Sequence, residues 1–195
     1  MSRESEPFAR RVAELIDRLA RLTRELQFVD GLNPAQWEAL RFLARANRYS
    51  RSPGALAEFL GTTKGTASQT LIALESKGYI AKARSEADRR AMRLDLTPAG
   101  EALLQTDPIL VIEGAAGTLA EDVGMPLVQG LSRLLHDLQQ KNGVKEFGVC
   151  GDCTLLCVKH SAEPEEHASQ CGMTGDALST DDVSRVCVNF QRATV

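Results

Sequence analysis

Cysteine is missing from the first 149 residues of this 195-residue chain. Aromatic residues make up only 5%, with a single tryptophan. No apolar run approaches the ~18 residues that a membrane-spanning helix needs. The first twenty residues interleave arginines with acids, so no secretory signal is expected. A cytoplasmic location without a membrane partner is the expectation. An excess of basic charge is lacking too: the net charge is −3, so total charge gives no pointer to nucleic acid. The sequence has no Gly-x-Gly-x-x-Gly after a strand, no phosphate-binding Gly-Lys-Ser/Thr loop and no His-Glu-x-x-His. No enzymatic activity is expected.

What is present divides in two. All five cysteines, Cys150, Cys153, Cys157, Cys171 and Cys187, fall in the last 46 residues, with His160 and His167 among them. Residues 1–149 carry 20 Lys+Arg against 19 Asp+Glu, whereas residues 150–195 carry 3 against 7. A near-neutral body over residues 1–145 is therefore expected to join an acidic, cysteine-rich extension over residues 146–195. Gly143, Gly148 and Gly151 mark the join. Apolar residues at 43% suffice for a core without covalent staples.

Periodicity predicts a mainly α body with a small β element. Phe8, Val12, Leu15, Ile16, Leu19, Leu22 and Leu26 recur every three or four residues, one stripe of a long helix. Asn33-Pro34 and Ser52-Pro53 are helix starts, a capping side chain followed by proline at the first helical position. Trp37, Leu40 and Leu43 form the buried face of one helix, and Leu56, Phe59 and Leu60 that of a short one ending at Gly61. Thr62 or Thr63 caps the next, whose buried face is Ala67, Leu71 and Leu74, and Gly78 ends it. The period then shortens. Residues 79–84 and the alternating Met92-Arg93-Leu94-Asp95-Leu96 predict a two-stranded hairpin. Thr97-Pro98 predicts a helix over about 98–119, bent at Asp107-Pro108. A last helix is expected from Pro126 to about Asn142, with Leu127, Leu131, Leu134, Leu135 and Leu138 on one face.

Two short helices joined by Gly61-Thr62-Thr63 make a helix-turn-helix. Its second helix offers Thr63, Lys64, Thr66, Ser68, Gln69 and Thr70 opposite the apolar face, side chains that can approach base edges and phosphates. The hairpin carries Lys82, Arg84, Arg89, Arg90 and Arg93 against Glu86 and Asp88, the densest positive patch in the chain. An arginine at its tip can enter a minor groove. Either feature alone is ordinary on a soluble protein. Their order and close spacing single them out.

These residues resemble the winged helix-turn-helix of MarR-type transcriptional regulators. The likeness rests on Leu56-Ala57-Glu58-Phe59-Leu60, Thr63-Lys64-Gly65-Thr66-Ala67-Ser68-Gln69-Thr70-Leu71, Asp88-Arg89-Arg90 and Leu94-Asp95-Leu96-Thr97-Pro98-Ala99-Gly100. With the flanking helices it covers residues 6–141. The resemblance implies a winged helix-turn-helix flanked by dimerisation helices. It implies a homodimer on double-stranded DNA, with two recognition helices in successive major grooves of a pseudo-palindromic operator and two wings in flanking minor grooves. It assigns Thr63, Lys64, Thr66, Ser68 and Gln69 to the recognition helix. Arg84, Arg89 and Arg90 fall to the wing, with Asp88 orienting Arg90. Gly65 departs from the pattern and should cost up to ~1 kcal/mol against alanine unless close approach to DNA uses the missing side chain.

The extension is loop-rich, with spacing Cys150-x2-Cys153-x3-Cys157-x13-Cys171-x15-Cys187. An odd count in a reducing compartment argues against a disulfide framework. Structural zinc usually takes two tight pairs, and only one exists here. Four separated thiolates, Cys150, Cys153, Cys171 and Cys187, suit an iron–sulfur cluster, foremost [4Fe-4S], with Cys157 as a possible substitute ligand. The pattern is also similar to small high-potential-type [4Fe-4S] subdomains of some glycyl-radical enzyme subunits. [2Fe-2S], zinc and a bare thiol switch remain open. Phe147 and Phe190 are expected to screen the centre, and His136 to be an ordinary helix-surface residue. The expected function is a regulator, most simply a repressor, tuned by a centre that senses redox state, oxygen or iron through dimer spacing. The alternative is a small-ligand-responsive repressor with a structural zinc site.

Overall fold

A computed structural model describes residues 8–84, 92–159 and 168–192. Helix α1 (Phe8–Leu26) holds the long apolar stripe, but none of its residues is buried within the chain. Helix α2 (Pro34–Arg45) begins where expected. Asn33 Oδ1 accepts the Gln36 N–H at 3.0 Å and Gln36 Oε1 accepts the Asn33 N–H at 3.1 Å, a capping box that satisfies two otherwise free donors. The helix buries Trp37, Leu40, Phe42 and Leu43. Ser52 caps α3 (Pro53–Phe59), and Gly61 supplies the left-handed residue, φ 59°, that turns the chain. Thr63 caps α4 (Lys64–Ser76) through the Thr66 N–H, and Ala67, Leu71 and Leu74 face inward. Strands β1 (Ile80–Arg84) and β2 (Met92–Leu96) pair antiparallel from Ile80↔Leu96 to Arg84↔Met92. Ile80 and Leu94 turn inward and join the α2–α4 residues in one core.

Beyond the hairpin, two expectations are corrected. The segment 98–119 is not one bent helix but α5 (Pro98–Leu103), a 3-10 turn at Leu104–Thr106, and α6 (Ile109–Ala116). Pro108 has no N–H to continue a helix and drives Asp107 out of the helical region, to ψ 125°. The break is held: buried Asp107 accepts the Ile109 N–H at 2.9 Å and pairs with Arg41 at 3.5 Å. The last helix, α7 (Glu121–Asn142), starts five residues before Pro126. Proline is tolerated in its second turn, where Glu121 and Asp122 in the first turn complement the positive helix end. The C-terminus is as expected, with Gly143 left-handed at φ 61°.

The extension folds as short strands around its glycine turns. Strand β3 (Gly148–Val149) is followed by β4 (Leu156–Lys159), β5 (Ala168–Cys171), β6 (Ala177–Leu178), helix α8 (Thr180–Val183) and β7 (Val186–Cys187). Strands β4, β5 and β6 form one antiparallel sheet, and β3 pairs with β7. This unit is built onto the body. Val186 is buried in the body core, and a parallel bridge joins it to Ala46. Phe147 does not screen the cysteines. Its ring meets Phe59 edge-on at 5.3 Å and Phe42 at 6.0 Å, because the Phe42–Phe59 stack offers an apolar wall beside the exit of α7. Among the described residues, no helix is long and apolar enough to cross a membrane.

Candidate DNA interface and cysteine site

The α4 surface is built by its cap and its spacing. With Ala67, Leu71 and Leu74 turned inward, Thr63, Lys64, Thr66, Ser68 and Gln69 are all exposed on the other side. The Thr63 and Thr66 hydroxyls lie 2.9 Å apart, fixing the first turn. A β-carbon on Gly65 would meet only Thr63 Oγ1, at 3.8 Å. Internal packing therefore does not require glycine there, and the open surface is what its missing side chain leaves.

The hairpin is pinned at its base. Arg51 ion-pairs with Asp95 at 2.9 Å, and the Leu94 N–H donates to Arg51 O at 2.9 Å. Part of the basic patch is neutralised: Lys82 pairs with Glu75 of α4 at 2.6 Å and Arg93 with Asp95 at 2.7 Å. Arg84 is exposed at the end of β1. Asp88, Arg89 and Arg90, like Glu86, lie outside the described residues. Thr97 Oγ1 accepts the Gly100 N–H at 3.1 Å and donates to Gly78 O at 2.6 Å, tying the strand exit to the end of α4.

The extension brings four cysteines together. Cys150, Cys171 and Cys187 are buried in one cluster with Leu178, packed by Tyr49, Leu156, Val183 and Phe190. Cys153 is half-buried immediately after the 3-10 turn that begins at Cys150. Burial first, then the neighbouring Cys187, Cys153 and Cys171, pushes the Cys150 thiol up to about 11. Two of the sulfurs receive hydrogen bonds. The Asn189 N–H donates to Cys187 Sγ at 3.4 Å and the Gln191 N–H to Cys153 Sγ at 3.3 Å. For Cys171, burial raises the thiol, but donors from the Thr174 backbone and hydroxyl and from the Met173 backbone outweigh it and hold it below its ordinary value. Cys157 is exposed on β4, outside the buried set. Among the described residues, no three His, Cys, Asp or Glu are grouped closely enough to hold a single metal ion. His160 and His167 lie outside those residues.

Three further parts carry no local sequence signal. The Tyr49 hydroxyl reaches from the body to Thr174 Oγ1 at 3.2 Å and Asp176 Oδ2 at 2.7 Å, beside Cys171. His136 is not an ordinary surface residue: its Nδ1 bonds Glu146, which also accepts from Gln140 at 3.0 Å and Arg192 at 3.1 Å. Burial raises the Glu146 carboxyl, yet these donors bring it below its ordinary value. A cleft of about 900 Å³ opens between α1, α2 and α6, lined in part by Arg24, Glu38, Arg41, Arg45 and Asp107. Burial raises the Glu38 carboxyl there, opposed by Arg41 and Arg24.

The sequence model of the MarR family matches residues 30–91. No curated protein matches the sequence. Solved structures do match the body. FabT of Streptococcus pneumoniae in complex with DNA is 23% identical, with a TM-score of 0.56, covering 68% of this chain and 98% of its own. A MarR transcriptional regulator from Methanosarcina mazei Go1 is 20% identical, with a TM-score of 0.55 and coverages of 66% and 96%. The S. aureus MepR–DNA complex is 19% identical, with a TM-score of 0.53 and coverages of 64% and 96%. Each spans almost its own full length while leaving about a third of this chain unmatched. The body of this chain thus has a MarR-like winged helix-turn-helix fold, to which a cysteine-bearing unit is added.

Proposed function

We propose that the chain is a DNA-binding transcriptional regulator of MarR type, acting as a homodimer, whose DNA affinity is tuned by an iron–sulfur centre in its extension. It is a regulator and not an enzyme. The observation that carries the DNA-binding part is the capped, fully exposed polar face of α4 beside a hairpin anchored through Arg51 and Asp95. FabT and MepR were solved with DNA, in agreement with that use of the fold. Lys64 is suited to phosphate, and Gln69, Thr66 and Ser68 to base edges. Arg90, flanked by Arg89, is assigned to the minor groove, with Asp88 orienting it and Arg84 at the strand end on the adjoining backbone.

The centre is assigned to Cys150, Cys153, Cys171 and Cys187. A zinc ion with Zn–S of ~2.3 Å draws its thiolates into one tight shell. Cys187, Cys153 and Cys171 all lie near enough to Cys150 to raise its thiol. One tight pair and two thiols far apart along the chain suit an iron–sulfur cluster, [4Fe-4S] before [2Fe-2S], better than zinc. The N–H donors on Cys153 and Cys187 stabilise thiolates, and Phe190 and Tyr49 exclude water. A cluster there would answer to oxidants and iron supply. A second reading, a regulator of small-ligand type, is favoured by the cleft between α1, α2 and α6, whose largely apolar wall, edged by Arg24, Glu38 and Arg41, would receive a small aromatic or phenolic molecule.

Two arms of one experiment test the proposal. An anaerobic preparation should contain iron and acid-labile sulfide and absorb in the visible. Serine at any of the four cysteines should abolish that absorbance, and Cys157→Ser should retain it. The same preparation should bind a duplex selected from a random pool, with Lys64→Ala and Arg90→Ala each lowering the salt slope by about 0.9. Stoichiometric zinc without sulfide would overturn the cluster, and unchanged slopes would remove those residues from the interface.

A further inference from the structure

The stretch from Ala46 to Ser52 is shared by two neighbours. On one side it holds the extension. The Asn47 N–H donates to Val186 O at 2.9 Å, and Ser50 Oγ accepts the Val188 N–H at 2.7 Å. The single Ser50 hydroxyl proton is divided between Asn47 Oδ1 at 2.8 Å and Val186 O at 3.0 Å. Both flanks of Cys187 are therefore fixed by this stretch. Tyr49 packs over the thiols, and its neighbour Arg48 donates to Ala177 O and lies 3.8 Å from Asp182. On the other side it holds the DNA-binding surface. Arg51 carries Asp95 and Leu94 of β2, and Ser52 caps α3 through the Ala55 N–H at 3.2 Å.

We infer that residues 46–52 transmit the state of the cysteine centre directly to the wing and to α3, so that losing the centre weakens DNA binding while leaving the dimer intact. The inference rests on the reading of the four cysteines as a centre. A rival route exists through Glu146, which links His136 and Gln140 of α7 to Arg192. Arg192 is half-exposed, and solvent-facing ion pairs couple weakly. Asn47 and Ser50 are fully buried, and breaking one partner of a buried polar set is costly. The buried route therefore dominates. Asn47 Nδ2 is buried without an acceptor, so the set is one partner short.

The test compares the full-length, iron-loaded dimer with the same protein stripped by ferricyanide and a chelator. Amide hydrogen exchange should speed up at residues 46–52 and 92–96 on stripping, with α1 and α7 unchanged. Affinity for a duplex selected by the loaded protein should fall about tenfold, inside the usual range of coupling between sites. Asp95→Asn cuts the wing side of the stretch and should keep the visible absorbance while bringing the loaded-to-stripped ratio towards one. Ser50→Ala should do the same from the other side, and Asp95→Asn alone suffices if that variant fails to fold. Exchange changes confined to α1 and α7, or a full ratio in Asp95→Asn, would overturn the inference. Zinc without sulfide but with the same exchange pattern would support the transmission and overturn the cluster. Iron and sulfide with unchanged exchange at 46–52 would do the reverse.

Discussion

At position 100, a β-carbon would lie 2.2 Å from the Tyr79 carbonyl oxygen and 3.1 Å from its carbon. The obstacle is backbone, and that oxygen already accepts the Thr97 N–H at 3.0 Å. Alanine should gain up to ~1 kcal/mol of helix propensity over glycine in α5. Forcing the strand exit away should cost more, about 1–3 kcal/mol. Gly100→Ala is therefore expected to lower the denaturation midpoint, and an equal or higher midpoint would contradict the close approach. The glycine is visible in the sequence as the end of Leu-Thr-Pro-Ala-Gly, but its reason is a contact across the chain. The four thiols show the same division. Their scarcity elsewhere made them legible, whereas Thr174 and Tyr49, which serve Cys171, have no spacing signal to find them by.

Elements that carry their own start and stop signals were the legible ones. Asn33, Ser52, Thr63 and Thr97 cap the helices expected of them, since a cap is decided within four residues. The errors lie where a proline has two possible meanings. Pro108 breaks a helix that was expected to bend, and Pro126 sits inside one that was expected to begin there. Phe147 shows a different failure, because nearness to Cys150 in sequence says nothing about which wall its ring meets. The half-buried ring should contribute somewhat less than the ~3–5 kcal/mol of a fully buried phenylalanine. Phe147→Ala is thus expected to lower the unfolding temperature of the body while leaving any visible absorbance of the proposed centre unchanged. Lost absorbance with an unshifted transition would return Phe147 to the cysteine site.

At the scale of the molecule, the largest unmet demand is apolar. Leu19 is 58% exposed on α1 and Leu135 57% on α7, and a groove of about 690 Å³ runs between these helices. Such stripes are too apolar for solvent, and a second copy is the partner proposed for them. Light scattering should give a dimer at micromolar concentration, and Leu131→Glu should reduce it to monomer or aggregate. A folded wild-type monomer would refute the assignment. Periodicity alone exposed this surface to view. Nothing local could show that the extension returns to residues 44–51, because that contact joins positions some 140 residues apart, as in Arg185 Nη1 to Ala44 O at 2.7 Å. The bridge from Val186 to Ala46 has one further effect. It covers main-chain groups that would otherwise present an open strand edge, the usual template for adhesion between chains. On the reading proposed above, protein whose extension has let go would be both a weaker DNA binder and more prone to self-association, and oxygen exclusion during handling would protect solubility as well as function.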